Sequence, residues 1–328
     1  MNRTVAGFMT ALVIVAFAAE TAFAGETVFN LSAGVTTVTM PGGEVITMWG
    51  YALDNGPVSV PGPALVVPPG DSLRIDFTNN LPGAEPDSIM IPGLPMPTDG
   101  VSAVPQAMRN PDGRVRSFVH ETSVGETASY VWPVIKPGSY VYQSATHPAV
   151  HVQMGLYGAL TNDAGSGEAY SGVPYDQAVT LVYSEIDPLL HAAVRDGTYG
   201  TPAYPSTINY VPQYFLINGQ PFTSPTETFP SVVAGQRVLL RFLNAGLKTR
   251  VPTLMGTMVS VVAEDGNLYP YPKEHYALLM PAGKTLDAVL VPASEGRTAI
   301  FDHTMGLVNA TTSGGGMLTY IDVNASAK

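Results

Sequence analysis

The sequence predicts an all-β chain built as two tandem sandwiches, and three observations carry that expectation. Apolar residues fall in short runs of period two rather than in long helical stripes. Glycine (33) and proline (29) are abundant among the 328 residues, so turns punctuate the chain. A pattern also returns: Val66-Val67-Pro68-Pro69-Gly70-Asp71 leading into Leu73-Arg74-Ile75-Asp76-Phe77-Thr78-Asn79 reappears as Val232-Val233-Ala234-Gly235-Gln236 leading into Val238-Leu239-Leu240-Arg241-Phe242-Leu243-Asn244. The stretch 138–162 is echoed in the same way by 296–323. Each unit cannot bury its apolar face alone, so two like domains follow.

Taken in order, residues 1–24 read as a secretory signal. Arg3 gives the positive start, Val5 to Ala19 the apolar core, and Ala22-Phe23-Ala24 the small-residue cleavage site before Gly25. The core is too short to span a bilayer, so the expectation is a secreted or periplasmic protein without a membrane span after cleavage. Residues 25–162 form the first domain. Val28 to Leu31, Val35 to Met40, Val45 to Tyr51, Ala64 to Val67, Leu73 to Thr78, Ile89 to Gly93, Val115 to His120 and Thr127 to Trp132 are its expected strands. Residues 163–176, small, polar and Gly-rich, are expected to link it to a second domain at 177–328. There Ala178 to Ser184 opens a new strand series. Asp187-Pro188, an N-cap followed by a first-turn proline, starts a short helix through Val194.

The composition excludes several classes of function. Net charge is −11, with only 15 Lys and Arg, which argues against nucleic acid and anionic membrane surfaces as partners. No cysteine is present, so there is no disulfide, thiolate metal site or cysteine nucleophile. The stretch Gly165-Ser166-Gly167 lacks the strand–turn–helix setting of a hydrolase nucleophile. No Gly-rich phosphate loop precedes a helix.

The chemistry concentrates in residues 138–162. His147 and His151 stand four apart, with Met154 three further on, between apolar runs. Imidazole suits copper and zinc, and a thioether favours the reduced copper ion. His120 lies on a preceding strand. In an extended strand His147 and His151 would sit about 13 Å apart, so they share a metal only if the loop at Pro148 is compact. The bland alternative is that these residues only hold hydrogen bonds in a loop. His303, with Met305, is a further candidate ligand in the second half. His191 and His275 read as surface or capping residues. Met90, Met96 and Met108, around the long loop at 92–116, read as gap fillers.

Several short motifs in this order resemble the multicopper oxidase family, built of tandem cupredoxin domains. They are Val60-Pro61-Gly62-Pro63, Phe77-Thr78-Asn79-Asn80-Leu81, Pro137-Gly138-Ser139-Tyr140, Gly155-Leu156-Tyr157-Gly158-Ala159-Leu160, Phe215-Leu216-Ile217-Asn218-Gly219 and Arg241-Phe242-Leu243-Asn244-Ala245. Together they span nearly the whole chain after residue 24. The resemblance is to small two-domain members and implies two cupredoxin-like Greek-key sandwiches, copper as cofactor and a homotrimer. It also implies a blue copper bound through cysteine and a trinuclear centre held by His-x-His pairs. This chain departs from both. It has no cysteine, no His-x-His pair and only six histidines. Ser88-Ile89-Met90 stands where the first pair is expected, Ala145-Thr146-His147 keeps one histidine of the second, and Tyr142, Gln143 and Ser144 lie near the place of the thiolate. The implied site is therefore a mononuclear, non-blue copper held by His120, His147, His151 and Met154, with His303 as a further ligand. At most weak oxidoreductase activity is expected, with no laccase-type oxygen reduction. The alternative is a non-catalytic structural or interaction protein using the same scaffold. Its redox or protein partner is not specified by the sequence.

Overall fold

Leu73, Ile75 and Phe77 alternate with Arg74, Asp76 and Thr78, and the strand they form, Ser72–Asn79, buries the first set and leaves the second half-exposed. The computed structural model describes residues 25–102, 104–223 and 231–326. The expected signal at 1–24 lies outside them. In the first half, one sheet has the spatial order Val45–Leu53, Glu26–Thr39, Ser72–Asn79, Thr127–Trp132. Glu26–Thr39 runs parallel to Ser72–Asn79, and the other pairings are antiparallel. The facing sheet places Tyr157–Asn162 between Gly62–Val67, parallel to it, and Gly138–Gln143, antiparallel. Leu31, Leu65, Phe77, Tyr130, Trp132, Tyr140 and Leu160 fill the space between.

The second half repeats these pairings. Gln177–Ile186 runs parallel to Val238–Asn244, which is antiparallel to Thr285–Leu290. Val232–Val233 runs parallel to Leu318–Asn324, which is antiparallel to Gly296–Asp302. The repeat read in the sequence is therefore a repeat of topology, and the chain is all-β as expected. Details differ. Val28 to Leu31 and Val35 to Met40 fall on one long strand, Glu26–Thr39, which stops one residue short of Met40. Ile89 to Gly93 forms no strand; Met90 makes one bridge to Gln143. Val115 to His120 shortens to Val115–Ser117.

The halves share a packed seam. Gly138–Gln143 is buried on both faces. Tyr140 and Tyr142 enter the first core, while Val141 joins Val182, Leu243 and Ala245 of the second half. The segment expected as a linker holds the hairpin Glu168–Tyr170 with Val173–Pro174, and Ala169, Tyr170 and Val173 pack on Leu239, Val262 and Val289. Buried Arg241 donates to Ser139 Oγ at 3.0 Å and to Asp163 Oδ1 at 2.7 Å. Asp287 accepts from Ser139 Oγ at 2.7 Å and from the Tyr170 hydroxyl. Burial pushes the Asp287 carboxyl up, and Arg241 pulls it back in part.

Among the described residues, two α-helices interrupt the strands, α1 at Pro148–Met154 and α2 at Pro188–Arg195. No described helix is long and apolar enough to cross a membrane. α2 starts as its sequence predicts, with the Asp187 carboxylate accepting from the N–H groups of Leu189 and Leu190. His191, expected as a surface or capping residue, is instead buried on α2, where its Nδ1 donates to the Thr47 carbonyl at 2.9 Å. α1 stands where the sequence suggested a loop.

Candidate metal centre

The site is built on α1. Pro148 occupies its first turn, where a missing N–H costs nothing. His147 precedes it in the left-handed region, at φ 40°, and its side chain makes no capping bond. The helix stops at Gly155, whose N–H reaches the His151 and Val152 carbonyls. Gly155 has φ 120°, and a Cβ there would lie 2.1 Å from the Trp49 carbonyl oxygen. The glycine thus lets the end of α1 press against the strand carrying Trp49. Gly158, three residues on, leaves room for the Tyr142 ring, which a Cβ would meet at 2.4 Å. These two contacts give the Gly155-Leu156-Tyr157-Gly158 motif its physical reason. Because α1 is a helix, His147 and His151 are one turn apart. Their ring centroids lie 5.9 Å apart, nearly perpendicular.

His151 is oriented from behind. Its Nδ1 is 3.1 Å from Asp87 Oδ1 and 3.1 Å from Ser144 Oγ. Ser144 itself donates to Asp87 Oδ1 at 2.5 Å. A carboxylate only accepts, so the hydrogen on the imidazole sits on Nδ1 and the other ring nitrogen keeps its lone pair. All three side chains are buried. Among the described residues, Asp87 Oδ2 has no hydrogen-bond partner, and it is sealed from solvent. A shell of hydroxyls surrounds the cluster: Ser88 Oγ lies 2.8 Å from Thr146 Oγ1 and 3.1 Å from Ser117 Oγ. The Trp49 indole and the His151 ring meet edge to face, with centroids 5.2 Å apart and planes nearly perpendicular.

Glu85 completes the group. It, His147 and His151 each offer one ligand atom, and these atoms lie within 4.8 Å of one another. Glu85 and His147 are exposed and His151 is buried, so the group sits between core and solvent. It opens onto a cavity of about 750 Å³ lined also by Trp49, Pro82, Val150, Val194, Arg195 and Tyr199. Two imidazoles and a carboxylate suit a divalent ion of borderline softness.

Of the residues singled out by sequence, the structure brings His147 and His151 together and places the others elsewhere. His120 stacks on Tyr130 at 4.2 Å and bonds the Ser129 carbonyl through Nε2 at 3.0 Å. Burial lowers its pKa. Met154 is fully buried in the first core. His303 lies beside Phe301 in the second half, on a separate groove with Met255, Met258 and Tyr276. Sequence reasoning missed Glu85 and Asp87. They flank Pro86 in an irregular segment far from α1 in the chain, and no spacing rule connects them to it.

Residues 33–164 match the multicopper oxidase family. The chain is 26% identical to copper resistance protein A of Escherichia coli over 325 residues, covering 85% of this chain and 48% of that protein. It is 22% identical to the copper-containing nitrite reductase of Neisseria meningitidis serogroup B over 275 residues, covering 82% of this chain and 62% of that one. The chain therefore spans about half to three-fifths of the length of these relatives. The crystal structure of the blue copper oxidase from Nitrosomonas europaea superposes with a TM-score of 0.72 at 22% identity, covering 91% of this chain and 86% of that one. Residues 33–164 thus match a multicopper oxidase domain, and the two repeated sandwiches have the cupredoxin-like all-β fold of these structural neighbours.

Proposed function

We propose that this protein is an exported family member that binds copper at one mononuclear, non-blue site in its first half, with at most weak oxidoreductase activity and no laccase-type oxygen reduction. The observation that carries the reading is the convergence of Glu85, His147 and His151, with His151 fixed from behind by Asp87. The donors fit a divalent copper ion. They do not fit a blue site, because the chain has no cysteine, nor a cluster needing paired His-x-His ligands, because no such pair occurs. Copper resistance protein A and copper-containing nitrite reductase, by name copper proteins, support this choice of metal.

Bound there, copper supplies Lewis acidity and one-electron redox chemistry. The chain's own residues do the rest. Asp87 and Ser144 hold the proton on His151 Nδ1 and keep the ring aimed outward. Trp49 stops that ring from rotating. Glu85 neutralises part of the ion's charge. Export to the periplasm or medium, the division into domains at 25–162 and 177–328 joined by 163–176, and a homo-oligomer belong to the same proposal. Their support is the signal-like start, the repeated topology and the family.

The test is metal content. The mature chain, loaded with Cu(II) and dialysed, is expected to retain one copper per chain, with a spectrum lacking the intense blue thiolate band. His147→Ala is expected to lose that copper. Substoichiometric copper unchanged by the substitution would overturn the reading.

A further inference from the structure

The cavity in front of Glu85, His147 and His151 holds about 750 Å³, which is room for an organic molecule rather than a water cluster. Trp49 lies on the wall only 6% exposed, yet its indole N–H has no hydrogen-bond partner among the described residues. The Trp49 ring packs against the His151 ring, with centroids 5.2 Å apart. Pro82, Val150, Val194 and Tyr199 supply the apolar and in part aromatic walls. Arg195 also lines the space, with its guanidinium forked onto Asp196 at 2.7 and 2.9 Å.

These features select a ligand. A divalent ion with one carboxylate ligand keeps net positive charge, so an anionic head is favoured at the ion. The indole N–H adds a donor for a second oxygen of that head. No sulfur ligand competes for the open side of the ion, because Met154 is in the core. The apolar walls favour a flat hydrocarbon body over a hydrated inorganic anion. We propose that this cavity binds an aromatic carboxylate, with its carboxylate at the open side of the metal and the Trp49 N–H, and its ring against Val150, Val194 and Tyr199. The proposal rests on the metal-site reading above.

Benzoate and acetate, titrated into Cu(II)-loaded protein and followed by electron paramagnetic resonance, separate the two ideas when copper per chain is measured on the same samples. Benzoate is expected to bind about tenfold tighter than acetate or better, from burial of the ring. Val194→Thr, which keeps the shape and adds no charge, is expected to reduce that advantage while leaving copper content and acetate affinity unchanged, and Val150→Thr gives an independent check from α1. Trp49→Phe, which keeps an aromatic ring but deletes the N–H, is expected to weaken both carboxylates several-fold. Equal affinities for benzoate and acetate in copper-replete protein would overturn this inference alone. Wild-type protein that retains no copper would overturn both it and the metal site.

Discussion

Asp87 Oδ1 lies 3.1 Å from His151 Nδ1, and both side chains are sealed from solvent, at 0% and 2% exposure. The pair determines which nitrogen of His151 faces outward. Asp87→Asn keeps the shape but offers an amide in place of a carboxylate, so Nδ1 loses its charge-assisted partner. Copper affinity is expected to fall about ten- to a hundredfold. Competition with a chelator checks this, and near-ultraviolet circular dichroism confirms that the fold is intact.

Glu85→Gln is expected to lower copper affinity at least about tenfold, since it removes the one anionic donor. His120→Ala is expected to leave copper stoichiometry unchanged, because its ring is stacked on Tyr130 and bonded to Ser129. It should instead destabilise the protein by about 1 kcal/mol through the lost stacking. Isothermal titration and urea unfolding of the two variants check both statements; a loss of copper in His120→Ala would show that the site extends further than Glu85, His147 and His151.

Gly155→Ala would place a Cβ 2.1 Å from the Trp49 carbonyl, on a backbone with φ 120°. Neither the strand nor the end of α1 can yield without disturbing His151. A destabilisation of about 3 kcal/mol is expected, measured by urea unfolding, and weaker metal binding should accompany it.

Arg250 bridges two carboxylates, Glu185 at 2.8 Å and Asp302 at 3.2 Å, and all three side chains are at most 4% exposed. Arg250→Met leaves two buried acids without their cation. A loss of about 3–5 kcal/mol is expected, measured by urea unfolding.

Burial lowers the pKa of both His191 and His120 in the folded chain. Above the ordinary histidine value of about 6.5 both rings are neutral, folded or unfolded. Below it the unfolded chain binds protons that the folded chain resists, so stability is lost as pH falls from there toward the folded values. Melting temperature is expected to drop between pH 7 and pH 5 (about the histidine range). In His191→Gln the drop should be shallower.

Much of the fold was legible because strand alternation is a local property. Ser72–Asn79 and Thr127–Trp132 followed directly from their residues, and α2 from Asp187-Pro188. α1 was not legible. Pro148 carried a start signal, but His147 is not a capping residue type, and Val150 and Val152 suggest extended chain. The helix forms because Gly155 docks its end on the Trp49 strand, a contact invisible in one dimension. The candidate site was half legible for the same reason. His147 and His151 share one turn, whereas Glu85 and Asp87 reach them only through the fold.

The donors all lie between residues 85 and 151, whereas Val194, Arg195 and Tyr199 on the same cavity come from beyond residue 186. What grips an ion and what frames its guest are therefore encoded in separate stretches of the chain. Changes along α2 can redraw the guest's outline without touching a single ligand, so recognition is free to drift while the anchor stays constant.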